Sequence, residues 1–281
     1  MSEVALIVMP YELSRLRDGV GRGPEHLLEA GAEAALASAG ARVSTEVIEL
    51  EGRHSDEIEA CFALISLVRD AVRAAIARGA FPVVLSGSCF ASIGVVAGLG
   101  EPAPGVVWLD AHGDFNEPST GIHGYFDGMG LSVLTGGAWQ GLRAGVEGAE
   151  PVPEALVVLA GARDLDPPEA VRLRKSAIAQ PSAADLADPD RLLAAIEGLA
   201  PAPSGVYLHV DLDVLDIEVA KVNRYAAAGG VSGDDLQANV AAVLGRGDVK
   251  ALPLTAYDPE CDTADAVPPI ALRLLELAGR R

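Results

Sequence analysis

Seven strand-like runs recur along this chain, at residues 4–9, 42–50, 82–86, 106–109, 155–160, 205–210 and 249–254, with helix-like segments between them. Most of these runs are apolar throughout and do not alternate. A strand apolar on both faces must be covered on both faces, which is the signature of a parallel sheet between layers of helices. The segment after Ser55 carries apolar residues at Ile58, Cys61, Phe62, Ile65, Val68, Val72 and Ile76, close to a 3.6-residue period. Residues 24–36 read as a helix with Pro24 at its start, and Pro268 and Pro269 open a last one. Ser232 with Asp235 resembles a capping box at the head of another. There is no internal repeat. Stretches rich in Ala, Gly and Pro at 136–153 and 198–203 read as surface connections, so residues 1–281 are expected to form a single α/β domain.

The formal charge of -19 narrows the choice of partner. Such a surface repels phosphate backbones and anionic lipid heads, so neither nucleic acid nor a membrane is expected. A small cationic or zwitterionic molecule fits better. No apolar run approaches the roughly 20 residues that cross a bilayer. Met1-Ser2-Glu3 leads straight into a strand-like run, and the expectation is a cytoplasmic chain. Cys61, Cys89 and Cys261 are odd in number and far apart, which argues against a disulfide framework.

Two strand ends carry the chemistry. The run 106–109 ends in Asp110-Ala111-His112-Gly113-Asp114, three ligand-type side chains at i, i+2 and i+4, which an extended chain would point to one side. The run 205–210 ends in Asp211-Leu212-Asp213. Ligands of parallel sheets bind at the carboxyl ends of strands. Four Asp and one His therefore converge, and without cations that charge would cost several kcal/mol per buried ion. Oxygen-rich donors with one imidazole suit Mn²⁺ or a similar hard divalent ion. A single Asp-x-Asp at a strand end reads more simply as a turn or cap; the pair of motifs together points to metal.

These residues resemble a known family. Trp108-Leu109-Asp110-Ala111-His112-Gly113-Asp114-Phe115-Asn116 is similar to the D-A-H-x-D-x-N signature of the arginase, agmatinase and formiminoglutamase (ureohydrolase) superfamily. Asp211-Leu212-Asp213-Val214-Leu215-Asp216 resembles its D-x-D-x-x-D signature, and Gly161-Ala162-Arg163-Asp164-Leu165-Asp166 its G-x-R-D-x-D segment. Gly87-Ser88-Cys89 stands where the family has G-D-H. The resemblance implies a three-layer α/β/α fold on a mostly parallel sheet of about eight strands. It implies two Mn²⁺ ions, one held by Cys89, Asp110, Asp114 and Asp211, the other by His112, Asp110, Asp211 and Asp213. It implies hydrolysis of a C–N bond in a small linear amidine, guanidine or hydroxyguanidine compound by a hydroxide bridging the metals, and a homo-oligomer. Asn116 and Asp166 fall where the family holds the amino-acid end of a substrate. Asp127 and His123 are the candidates for moving the catalytic proton.

The chain departs from the pattern in ways that bear on activity. Cys89 replaces a histidine ligand with a softer sulfur; the change, together with Gly113-Asp114-Phe115-Asn116 and Gly124-Tyr125-Phe126-Asp127-Gly128-Met129, resembles the branch acting on Nω-hydroxyarginine. Ala256 stands where the family places a guanidinium-binding Glu, and Asp258 or Glu260 would have to substitute for it. Two other readings follow: a fold retained for binding or regulation without hydrolysis, and a hydrolase using Cys89 as nucleophile on a tight strand–helix turn. Asp166 can equally be a helix cap, and His209 either a support for Asp211 or a core histidine.

Overall fold

Residues 2–100, 102–120 and 124–281 are described by the structure, a computed structural model. Each strand-like run becomes a strand. In chain order they are β1 (Glu3–Met9), β2 (Tyr11–Glu12), β3 (Arg15–Leu16), β4 (Arg42–Val47) and β5 (Phe81–Ser86). Then follow β6 (Gly105–Leu109), β7 (Val157–Ala160), β8 (Val206–Asp211) and β9 (Val249–Thr255). Strands β2 and β3 form a small antiparallel hairpin. The other seven form one sheet in the order β4-β1-β5-β9-β8-β6-β7, and every pairing in it is parallel. Strands β5, β6 and β8 are buried almost end to end, as their apolar composition demands. The edge strand β4, Arg-Val-Ser-Thr-Glu-Val, is largely exposed, and its polar side chains blunt the open edge.

The sheet has seven strands where the family resemblance led us to expect about eight. Beside β7, among the described residues, the chain makes a parallel bridge, Val158 to Ala179, and one more backbone bond, from the Gly161 amide to the Pro181 carbonyl, too short a pairing to count as a strand. The helices are α1 (Gly23–Glu29), α2 (Ala32–Ser38), α3 (Glu57–Ala77), α4 (Ala91–Leu99) and α5 (Gly130–Leu134). After them come α6 (Gln140–Arg143), α7 (Pro167–Lys175), α8 (Pro189–Glu197), α9 (Gly233–Gly245) and α10 (Val267–Gly279). Right-handed crossovers sort them into two layers. Steps from β4 to β5 and β5 to β6 run one way across the sheet and carry α3 and α4, which pack together. Steps from β1 to β4, β7 to β8 and β8 to β9 run the other way, and α2, α10, α9 and α8 pack in succession on the opposite face. Among the described residues no helix is long and apolar enough to cross a membrane.

Local departures from expectation have local causes. The helix expected over 24–36 breaks into α1 and α2 at Gly31, whose φ of 111° lies in the left-handed region. Asp56, not Ser55, caps α3, accepting from the Glu59 amide, while Ser55 bonds to the Glu59 carboxylate. Ser232 caps α9 as expected, and Pro268 sits in the first turn of α10. The topology sets β5, β9, β8 and β6 side by side, so their carboxyl ends share one rim of the sheet.

Candidate metal centre

Four of the chemistry-bearing segments leave that rim together. Cys89 follows β5, the Asp110 cluster follows β6, Asp211 ends β8 with Asp213 just beyond, and Thr255 ends β9. Asp110, Asp114, Asp211 and Asp213 are all buried, and so is Cys89. All but Asp110 line a cleft of about 430 Å³ that also reaches His112, Asn116, Asp127, Asp166 and Ala256. Ligand atoms of Cys89, Asp110, His209 and Asp211 lie within 4.8 Å of one another, and so do those of Asp110, His112 and Asp213.

Three of the four carboxylates are aimed by backbone amides. Asp110 Oδ1 accepts from the His112 amide at 2.7 Å, and its Oδ2 accepts from Trp108 Nε1 at 2.8 Å. Asp211 Oδ1 accepts from the Asp213 amide at 2.8 Å, and Asp213 Oδ1 from the Ala111 amide at 3.2 Å. The segment after β6 is not simply extended, as the i, i+2, i+4 spacing suggested. Asp114 has φ of 46° in a left-handed turn, and it is buried near Asp110 but belongs to neither set of mutually close donors. Its Oδ2 is buried and has no hydrogen-bond partner among the described residues.

The protonation pattern shows what the cluster lacks. Burial, and then the charge of Asp213, push the Asp110 carboxyl up to about 6. Burial followed by the surrounding carboxylates pushes Asp114 and Asp211 well above the usual range. Burial also opposes charge on Asp213 and His112, but the contact between Asp213 Oδ2 and His112 Nδ1, 3.3 Å, outweighs it, holding Asp213 low and His112 high. Without cations, burial and mutual repulsion favour protons on Asp110, Asp114 and Asp211, groups that ordinarily lose them. A multivalent cation would replace those protons and give Asp114 Oδ2 its missing partner, so the donor set fits a metal centre. Sulfur is the discordant member. Cys89 Sγ donates to Asp211 Oδ2 at 2.9 Å and meets Thr255 Oγ1 at 3.2 Å, while burial drives its thiol well above its usual value.

The remaining expected residues divide. Asp127 is buried in the cleft; its Oδ1 accepts from the Phe90 amide at 3.0 Å, and burial pushes its carboxyl up to about 7. His123 lies outside the described residues. Asn116 Nδ2 donates to Asp166 Oδ2 at 3.0 Å, joining the two expected substrate contacts on one wall. Asp166 also precedes α7, where its amide donates to Glu169 in a capping box, so the cap and the cleft position coexist. Asp258 and Glu260 do not stand in for a carboxylate at Ala256. Asp258 accepts from the Glu260 amide in a turn, and Glu260 pairs with Arg22. His209 is fully buried, stacked on Trp108 with ring centroids 3.6 Å apart, and burial drives its imidazole down to about 3. The alternative of Cys89 as a nucleophile activated by His112 finds no support: Cys89 bonds to Asp211 and Thr255, and His112 pairs with Asp110 and Asp213.

Three contributors escaped the sequence reading. Asn223 Nδ2 donates to Asp213 Oδ2 at 3.1 Å and to the Ala256 carbonyl at 2.9 Å, from a loop that offers no local signal. Glu169 accepts from the Phe115 amide at 2.8 Å, and its place three residues after Asp166 was a legible capping-box clue. Arg163 donates to five backbone carbonyls, those of Gly161, Asp213, Leu215, Ala227 and Ala228, and so ties the Asp213 turn to the loop after β7.

Known proteins share both the sequence and the shape. The chain is 29% identical to the arginase of Bacillus subtilis (strain 168), over 99% of this chain and 98% of that protein. Over a shorter stretch, 53% of this chain and 51% of the relative, it is 32% identical to the N(omega)-hydroxy-L-arginine amidinohydrolase of Streptomyces lavendulae. The crystal structure of arginase from Bacillus cereus matches it with a TM-score of 0.89 and 26% identity, covering 100% of this chain and 99% of that one. Residues 2–277 match the Arginase family as a unit, and with the rim of buried Asp, His and Cys donors in the same chain, the protein belongs to the arginase family.

Proposed function

We propose that this chain is a metal-dependent hydrolase of a C–N bond in a small linear amidine, guanidine or hydroxyguanidine compound, working with two Mn²⁺ ions. The observation that carries the reading is the buried carboxylate cluster with an unpartnered Asp114 Oδ2. Cys89, Asp110, Asp114 and Asp211 would hold one ion, and His112, Asp110, Asp211 and Asp213 the other. Bound there, the cations supply the Lewis acidity that makes water nucleophilic at neutral pH and carries the charge that develops at the attacked carbon.

The chain's own residues then have definite tasks. Asn116 and Asp166, already bonded to each other, offer a polar wall to the zwitterionic end of a substrate. Asp127, anchored by the Phe90 amide and titrating near neutrality, can hold a proton and pass it to the departing amine. Ala256, Val20 and the rings of Tyr125 and Tyr225 line the remaining wall and restrict water. No carboxylate stands at Ala256, so a plain guanidinium finds one fewer counter-charge, which favours a hydroxyguanidine or another weakly basic amidine. The same position supports a second reading, a family member that binds such compounds without turning them over. Release of urea, hydroxyurea or ammonia from a panel of these compounds, with added Mn²⁺ and with chelator, separates the two. Metal-dependent turnover is expected; a folded, metal-loaded protein inert to the whole panel would establish the binding role.

A further inference from the structure

A buried line of hydrogen-bonding groups runs from the helix layer through the sheet to Cys89. Ser92 Oγ and Tyr207 OH lie 2.9 and 3.2 Å from His209 Nδ1. On the other side of the ring, His209 Nε2 lies 3.3 Å from Thr255 Oγ1. Thr255 Oγ1 is in turn 3.2 Å from Cys89 Sγ, against 3.5 Å from Asp211 Oδ2 and 3.5 Å from the Val210 carbonyl. All five side chains are fully or almost fully buried. None of the cleft residues named above as substrate contacts belongs to this line.

The direction of each bond follows from what its neighbours can give. A neutral imidazole has one donor and one acceptor nitrogen. The hydroxyls of Ser92 and Tyr207 bond to each other and converge on Nδ1, so the one whose hydrogen remains donates to that nitrogen's single lone pair, and Nδ1 accepts. Nε2 therefore carries the hydrogen and donates to Thr255 Oγ1. The Thr255 hydroxyl, with its oxygen already accepting, is left to donate onward. Sulfur is the largest of its three candidate acceptors and yet the nearest, so the contact with Cys89 is the tightest. Trp108 stacks flat on the ring and holds its plane.

We infer that Thr255, oriented by His209, is the positioning residue that makes Cys89 a metal ligand, its hydroxyl donating to the sulfur and fixing Sγ toward the carboxylate cluster. The inference rests on the metal-centre reading of the same site. Groups that hydrogen-bond a ligand atom orient it and adjust its donor strength, and their loss typically weakens metal affinity about 10–100-fold. A donor to a thiolate also withdraws electron density from sulfur, which moves a soft ligand closer to what a hard ion accepts.

Cobalt titration of the chelator-stripped chain tests this without recourse to turnover, because Co²⁺ bound to a thiolate shows a sulfur-to-metal charge-transfer band. Wild type should show the band and Cys89→Ala should lose it. Thr255→Val should shift the band to longer wavelength and weaken Co²⁺ binding at least tenfold. Thr255→Ser should restore both. Thr255→Ala removes the same hydroxyl without adding a methyl and serves if the valine variant does not fold. An unmoved band and unchanged affinity in a folded Thr255→Val or Thr255→Ala protein would overturn the role of Thr255 and leave the metal centre standing. Cobalt bound by wild type without the band would overturn it by removing Cys89 from the ligands. Failure to bind cobalt at all would take the metal-centre reading down with it.

Discussion

Replacing Asp114 with Asn should stabilise this protein without metal and forfeit about that gain when metal is bound. In the metal-free chain Asp114 is buried beside Asp110 and Asp127, one of its oxygens has no partner, and burial and those charges push its carboxyl well above the usual range. Asparagine has nearly the same shape, carries no charge, and brings two N–H donors to a pocket full of acceptors. An unmet buried polar group costs about 1–3 kcal/mol, so Asp114→Asn should stabilise the metal-free chain by about that much. At about 2–4 °C per kcal/mol for a chain of this order of size, the melting temperature should rise by roughly 2–12 °C in chelator. With Mn²⁺ that gain is offset. A bound ion stabilises by an amount that falls about 1.4 kcal/mol for each tenfold loss of affinity, and losing a charged ligand should weaken the site tenfold to a hundredfold. Calorimetric melts of both proteins, in chelator and in excess Mn²⁺, read both effects. A variant that melts lower than wild type in chelator and gains as much from Mn²⁺ would refute the idea that Asp114 waits for a cation.

The metal-free chain should lose stability as pH rises from about 4 to about 7. Asp110, pushed up to about 6, and Asp127 and Glu169, pushed up to about 7 by burial, bind protons more tightly folded than unfolded, so their contribution is present at low pH and lost as they ionise; urea midpoints across that range in chelator check this, and a flat or rising profile contradicts it. Ala256→Glu should lower the KM for a guanidinium compound about 10–100-fold, the worth of one hydrogen bond to a charged group, in steady-state assays with Mn²⁺. An unchanged KM would remove this wall from the substrate's reach. Arg163→Ala should cost about 2–4 kcal/mol in denaturant unfolding and loosen metal held through Asp213, because five carbonyls lose a shared donor. Arg163→Lys should not rescue it, since one ammonium cannot match the planar fork.

The sheet and the ligand positions were legible because both are written locally. Runs such as Val-Val-Leu in β5 and Val-Tyr-Leu in β8 admit little but a covered strand, and acidic residues placed right after such runs must stand at the rim. The manner in which they converge was not legible. Asp114 arrives through a positive φ that no spacing rule encodes, and Gly31 splits a helix whose apolar period continues across it. Asn223 and Thr255 contribute through tertiary contacts, with Asp213 10 residues away and with Cys89 166 residues away. The family resemblance suggested about eight strands, one more than form, because the pairing beside β7 stops at a bridge and one further bond, whereas the runs themselves numbered seven.

Diffraction from crystals grown with Mn²⁺, recorded at its absorption edge, bears most directly on the centre. Two anomalous peaks are predicted, one among Cys89, Asp110, Asp114 and Asp211, the other among His112, Asp110, Asp211 and Asp213. An ordered cluster with no anomalous peak at any of these side chains, in protein saturated with the ion, would contradict the account.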